Sequence, residues 1–406
     1  MNFDQPIGII ELDNIKLKCL IFKVSSDNNF EILSTSNVKS DGIHNGVIVN
    51  LEKATTVIRS CISSAEKIAK ISLKKINVVF EGPEFLCTNF SKQKKINGSK
   101  IHKADIEFLL NEAKKQLLLN DKSKSVIHIF NHNYIVDNKK FIEEPIGVYA
   151  DHLRHEMTFI SVPSNNLKNI NQVFIECDLE IEKFISSTFA LGAKLLNNKE
   201  LEYGAIIINV GFEKISIGLF KNFSLVHSYT YPVGTNHITK DISKVCSLNL
   251  DESKLLRDDI DLSFENNQIP FDEKNYLKNN YFINSSFRKI SQNLIINVVK
   301  SRLDEMFEVV REQINISGFN LNFTSGHLLT VNGEKLLNLE KYCTNLFGPN
   351  IRKVEEVVDK IQDSENTFKA CLGALNIIKD GWETEAIPQI SRKNIKKIGF
   401  FSKIFN

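Results

Sequence analysis

The chain lacks most of the features that would announce a membrane-spanning, secreted or metal-dependent protein. Nowhere in its 406 residues is there a run of about 18 apolar residues, so no helix is expected to cross a bilayer. Its opening, MNFDQPIGII, has neither the basic start nor the apolar stretch of a secretory signal, and the protein is expected in the cytosol. The seven cysteines are odd in number, scattered, and form no CxxC pair, which argues against disulfides and zinc alike. They read as small buried apolar residues. A net charge of +2 is too small to imply nucleic-acid binding, and no nucleic-acid partner is expected. Acidic residues are also missing locally: none follows Glu385, whereas Arg392, Lys393, Lys396, Lys397 and Lys403 do.

What is present suits a large folded body. An apolar share of 42% and a charged share of 25% are ordinary for a globular protein, and the length suffices for two or more domains. Residues 5–12, 16–23 and 30–38 read as short strands, and NLEKATTVIRSCISSAEKIA places Leu51, Ala54, Ile58, Ile62, Ala65 and Ile68 on one helical face. This β-β-β-α order recurs over 203–246, where YGAIIINVGF, KISIGLFK and FSLVHSYTYP read as strands and NHITKDISKVC as a helix. Two similar α/β halves are expected, each with an insertion. The first, 83–162, reads as a helix followed by strands; the second, 243–325, ends in the helical stretch RKISQNLIINVVKSRLDEMFEVVREQI. His128 with His132, and His152 with His155, invite a metal reading, but no Cys or further His completes either set, so no metal is expected there.

After these halves KDGWETEAIPQIS breaks the helical pattern with Gly381 and Pro388 and reads as a linker, 379–391. It leads to NIKKIGFFSKIFN. At 100° per residue Ile398, Phe401 and Phe405 share one side, with Ile395 and Ile404 flanking, while Arg392, Lys396 and Lys403 fall opposite; Lys393, Lys397 and Phe400 complete the segment. An apolar face backed by an all-basic one suits a helix lying in an anionic membrane interface. Each basic side chain contributes about 1 kcal/mol there, and each buried Phe or Ile about 1.5–3 kcal/mol before the cost of ordering. One such helix is a reversible anchor, and firm attachment favours a protein that polymerises.

Three stretches, GIHNGVIVNLEKATTVIRSCISSAEKIA, HIFNHNYIVDNKKFIEEPIGVYADHL and YPVGTNHITKDIS, resemble in order and spacing segments of the FtsA family of bacterial cell-division proteins. The resemblance runs from about residue 5 to the end of the chain. It implies a two-lobed actin-like fold of ribonuclease H-like halves: lobe 1 core 1–82, 163–201 and 352–378, with insertion 83–162; lobe 2 core 202–242 and 326–351, with insertion 243–325; then the linker and a membrane-targeting helix over 392–406. It further implies a peripheral protein on the inner face of the cytoplasmic membrane at midcell. There it would self-assemble, tether FtsZ through that protein's tail, and recruit later division proteins through 83–162.

The same resemblance implies ATP with Mg²⁺ between two glycine-bearing turns. The first turn corresponds to ELDNIK, with Glu11 in the acidic position and Lys16 keeping its place. The second is NVGFEKIS, where Gly211 survives and Asn209 replaces the acidic residue, so metal holding and water activation should both weaken. Gly234 and Thr235 match a paired glycine, and LLTVNGEKL, with Asn332 and Gly333, matches the adenosine-side turn. SKLLR would put Lys254 where the family has Glu, a register left open. No catalytic residue is assigned; ATP binding is expected to be weakened and hydrolysis weak or absent. For the FtsZ tail the resemblance points to Arg288, Lys289, Lys300, Arg302 and Glu305. A pilus-assembly scaffold of the same fold and a superfamily kinase are the alternative functions; the kinase would need the phosphate turns intact.

Overall fold

The computed structural model describes residues 5–24, 30–140, 144–265, 267–319, 326–331, 335–354 and 367–380. The chain divides into two compact units, the first comprising residues 1–204, 218–229 and 360–406, the second 205–217 and 230–359.

In the first unit β1 (Ile7–Leu12), β2 (Lys16–Val24) and β3 (Phe30–Lys39) form an antiparallel meander, and two two-residue strands, β4 (Ile43–His44) and β5 (Val47–Ile48), lead into α1 (Leu51–Ala69). The Asn50 side chain accepts from the Lys53 amide and starts α1; Lys70, in the left-handed region at φ 56°, ends it. Ala54, Ile58, Cys61, Ile62 and Ala65 form its buried stripe. β6 (Lys75–Phe80) then runs parallel to β1.

An antiparallel module follows, built from β7 (Leu86–Lys100), α2 (Lys103–Asn120), β8 (Lys124–Val136), β9 (Lys139–Lys140) and β10 (Tyr149–Pro163), in strand order β7-β10-β8-β9. Leu110, Ala113 and Leu117 of α2 pack with Phe90, Ile129, Met157 and Phe159 of the sheet. The chain returns through α3 (Ser164–Glu176) to β11 (Glu180–Ser186), which completes the order β11-β6-β1-β2-β3. Two helices, α4 (Ser187–Leu195) and α5 (Asn198–Tyr203), close this part.

The second five-stranded sheet has the order β14-β13-β12-β15-β16, from β12 (Ala205–Val210), β13 (Ile215–Lys221), β14 (Ser224–Tyr231), β15 (Gly326–Val331) and β16 (Ile351–Lys353). Between β14 and β15 come α6 (Thr235–Cys246), α7 (Leu250–Asp259) and α8 (Gln292–Ile316); α9 (Leu339–Phe347) precedes β16. The expected β-β-β-α order is thus present twice, in β1–β3 with α1 and in β12–β14 with α6. Asn249 caps α7 in a reciprocal box with Glu252. The Glu252 carboxylate also accepts from the Asn284 and Ser285 amides at 2.6 and 2.9 Å and from the Ser285 hydroxyl at 2.5 Å. Its burial alone would raise its pKa, but those donors hold it at about 2.

Three expectations need correction. Arg352 and Lys353, expected in lobe 1, belong to β16, which pairs with β15. The helix expected from Arg288 begins only at Gln292, because the Ser291 hydroxyl oxygen accepts from the Leu294 amide and fixes the start there. Lys379 and Asp380, expected in the linker, close α10 (Lys369–Asp380). α10 packs on α4 so closely that a Cβ at Gly373 would lie 1.8 Å from the Ala190 carbonyl oxygen, which only glycine permits.

Candidate functional site

The two hairpins expected to cradle phosphates differ in chemistry. In the first unit, the β1–β2 register sets Glu11 opposite Lys18. Both are buried, and the Lys18 Nζ lies 3.0 Å from Glu11 Oε2. Burial opposes the Lys18 charge, but Glu11 and Asp13 outweigh it and raise its pKa. Lys16, the cation expected here, is exposed at the first position of β2. The buried cation is Lys18, which sequence reasoning missed.

The head of this hairpin is tied to a neighbouring loop. Asn14 Nδ2 donates to Asn45 Oδ1 at 2.9 Å, and the Asn45 amide donates to Asn14 Oδ1 at 2.7 Å. A second acidic group missed in the sequence is Glu81, buried just beyond β6. Its Oε2 accepts from the Ser186 hydroxyl at 2.7 Å and from the Thr188 amide at 3.0 Å, so a carboxylate caps the start of α4.

In the second unit a backbone bond closes the β12–β13 turn, the Gly211 amide donating to the Lys214 carbonyl at 2.9 Å, and the Asn236 side chain donates to Glu213 of the turn at 2.6 Å. Gly234 sits against it, and a Cβ there would lie 2.4 Å from the Gly211 oxygen and 2.6 Å from the Lys214 nitrogen. The first amides of α6 point into the same turn. Thr235 N donates to Gly211 O at 3.0 Å, and Asn236 N to Phe212 O at 2.9 Å. A helix N-terminus ordinarily offers such amides to an anion; here protein carbonyls already occupy them.

Asn209 is half-buried on β12, in register with Thr330. It carries no charge, and the Glu11 carboxylate is neutralised by Lys18, so neither residue presents Mg²⁺ with an uncompensated anionic oxygen. The expected metal-positioning pair therefore does not fit the ion. Asn332 and Gly333 lie outside the described residues, as does 392–406.

Arg257, fully buried on α7, was also missed. Its guanidinium donates to Asp258 Oδ1 at 2.6 Å, to Thr239 Oγ1 at 3.1 Å and to the Thr235 carbonyl at 3.4 Å, so it braces the first turn of α6. Lys254 is exposed on the same helix.

The proposed partner residues fall around α8. Arg288 donates to the Ser247 carbonyl at 2.5 Å, and Lys289 lies 5.8 Å from the centre of the Tyr276 ring. Lys300 is exposed. Arg302 is held by Asp241 at 2.6 and 3.2 Å and also donates to Glu305, which accepts from the Tyr231 hydroxyl. Arg302 and Glu305 therefore belong to a local ion-pair network.

The histidines expected to be metal-free are packed in strands. His128 accepts from the Ser186 amide at 2.9 Å, His132 bonds Thr158, and His155 bonds Asn131 while stacking on Tyr134. Burial lowers their pKa values to about 3, 4 and 3. Among the described residues no three His, Cys, Asp or Glu converge as a metal site.

Residues 82–161 match the family model of the SHS2 domain inserted in FtsA. The chain is 25% identical over 411 residues to the cell division protein FtsA of Buchnera aphidicola subsp. Acyrthosiphon pisum, covering 98% of this chain and 94% of that relative. It is 22% identical over 365 residues to that of Neisseria meningitidis serogroup B, covering 85% and 83%. Against FtsA of Agrobacterium fabrum it is 21% identical over 356 residues, covering 85% and 80%.

Among solved structures, a PilM-PilN type IV pilus biogenesis complex matches with TM-score 0.63 at 12% identity, covering 90% of this chain and 96% of that one. Spiroplasma citri MreB5 bound to ADP matches with TM-score 0.54 at 12% identity, covering 93% and 98%. These two establish the actin-like fold. Through its inserted domain and its alignment over most of its length, the chain is similar to the FtsA family of cell division proteins.

Proposed function

We propose that this protein is an actin-like adaptor of cell division that holds FtsZ filaments against the inner face of the cytoplasmic membrane. The observation that carries this reading is the inserted domain at 82–161, which matches the FtsA insertion on an actin-like fold. The basic amphipathic segment 392–406 supplies the membrane contact: its apolar side chains enter the interface and its lysines meet anionic headgroups. Self-assembly multiplies a weak single anchor into a firm one. The module 83–162 receives later division proteins. The region of Arg288, Lys289 and Lys300 around the start of α8 receives the acidic, apolar tail of FtsZ, while Arg302 and Glu305 shape the helix face beside it.

Nucleotide plays a structural part in this reading. Relatives in fold bind nucleotide, as the ADP-bound MreB5 does. Here the Lys18–Glu11 pair and the occupied α6 amides weaken the grip on phosphates, and the loss of anionic metal ligands disfavours hydrolysis. The pilus-scaffold alternative shares the fold, but the insertion match favours the division role.

The test is reconstitution. FtsZ filaments mixed with anionic vesicles should gather on the lipid when the full chain is present and stay in solution when it ends at residue 391. Recruitment by the shortened chain, or none by the full chain, would overturn the reading.

A further inference from the structure

The first unit holds a mainly apolar cleft of about 410 Å³ lined by Leu20 of β2, Ile32, Ser34 and Thr35 of β3, Ile68 of α1, Phe368 just before α10 and Leu372 within it. The size is that of a ligand pocket. β3 is the edge of its sheet, and the apolar surface continues outward: Phe30, Ile32 and Ile68 are 41%, 42% and 61% exposed. Such a contiguous patch calls for an occupant.

We propose that the apolar face of residues 394–406 docks in this cleft when no membrane is at hand, so that the same side chains hold either the protein body or lipid. The idea rests on the reading of 392–406 as the membrane segment. Where the chain leaves α10 supports it: Lys379, next to the last residue of that helix, lies 5.5 Å from the centre of the Phe30 ring, at the rim of the exposed apolar surface. Leu372 lies about 12 Å back along α10 from Asp380 at 1.5 Å per residue. Thirteen residues, 381–393, separate Asp380 from the segment, and a chain of that length can bridge about 20 Å, enough to reach the cleft.

Ile395, Ile398, Phe401 and Phe405 form the apolar row that a hydrophobic groove accepts from an amphipathic helix. A short tether gives a local concentration of order mM, enough to populate even a weak contact. Lys67 in the last turn of α1 and Lys70 just after it add positive charge near Ile68, which disfavours the basic segment and would keep the contact weak. Anionic lipid exerts the opposite pull, so a membrane displaces the segment from the cleft.

Two measurements test this. Hydrogen exchange should show amides of 30–36 and 65–70 more protected in the full chain than in one ending at residue 391. The difference should be the same at low and high protein concentration and should vanish when phosphatidylglycerol vesicles are added. Ile32→Asp and Ile68→Asp, at exposed positions, should raise the apparent affinity of the full chain for those vesicles about threefold or more, because the competing state is lost. Equal exchange in the two chains, protection that grows with concentration and so marks a second copy as the occupant, or unchanged vesicle affinity of both variants would overturn it. The chain ending at 391 separates this from the membrane reading: if it still binds vesicles, that reading fails, while the exchange comparison still decides the docking.

Discussion

The two hairpins of the repeated β-β-β-α plan are held in different ways. The β1–β2 hairpin keeps charge but neutralises it internally, through the buried Lys18–Glu11 pair. The β12–β13 hairpin carries its charge at the turn, where Glu213 accepts from the Asn236 side chain at 2.6 Å and lies 3.9 Å from Lys240, while backbone carbonyls of the turn take up the first amides of α6. One end depends on a buried ion pair, the other on steric fit around Gly234 with a more exposed pair, Glu213 and Lys240, beside it. The difference teaches that two hairpins of one plan can be held by different means, one by a buried ion pair and the other by close backbone packing.

The largest expected effect comes from breaking the charged hairpin. Lys18→Met leaves Glu11 buried without its cation and should cost about 3–5 kcal/mol in denaturant unfolding. Adding Glu11→Gln should restore most of that loss. A single variant as stable as the parent would show that the pair is solvated and contributes nothing.

Breaking the backbone-closed hairpin should cost less. Gly234→Ala drives a methyl into the Gly211 and Phe212 carbonyls, and a loss of roughly 1–3 kcal/mol is expected as the turn yields. The double variant Glu11→Gln/Lys18→Met should not alter that cost, because each hairpin has its own stabilising contacts within its unit. Coupling between them would contradict the separation.

The smallest effect concerns pH in the second unit. Glu252 is held at about 2 against an ordinary 4.5, so the unfolded chain binds this proton more readily than the folded one. The stability it contributes is present in full above about 4.5 and is lost as pH falls through about 2. Ser285→Ala removes the hydroxyl donor and should move that loss toward higher pH, visible in acid titrations followed by circular dichroism. An unchanged acid transition would show that the loop amides alone hold the carboxylate.

Much of the fold was legible because its signals are local. Short apolar runs marked the meander strands, and the spacing of Ala54, Ile58, Ile62 and Ala65 marked α1. The site was less legible. β2 is buried on both faces from Leu17 to Phe22, so no alternation reveals its register, and the resemblance of the turn singled out Lys16 instead of Lys18. Arg257 carries a charge that composition assigns to the surface; only the packing of α7 against α6 shows it buried. The start of α8 was readable in principle, since Ser291 is an ordinary N-cap residue, yet the apolar pattern extending back to Ile290 obscured it.

The membrane role in the proposed function rests on the basic amphipathic segment 392–406. The most direct measurement is therefore co-sedimentation with phosphatidylglycerol liposomes of the full chain and of one ending at residue 391, with circular dichroism to confirm that both are folded. The account predicts that the full chain pellets with the lipid and the shortened one stays in the supernatant. Equal pelleting of the two folded proteins would contradict it.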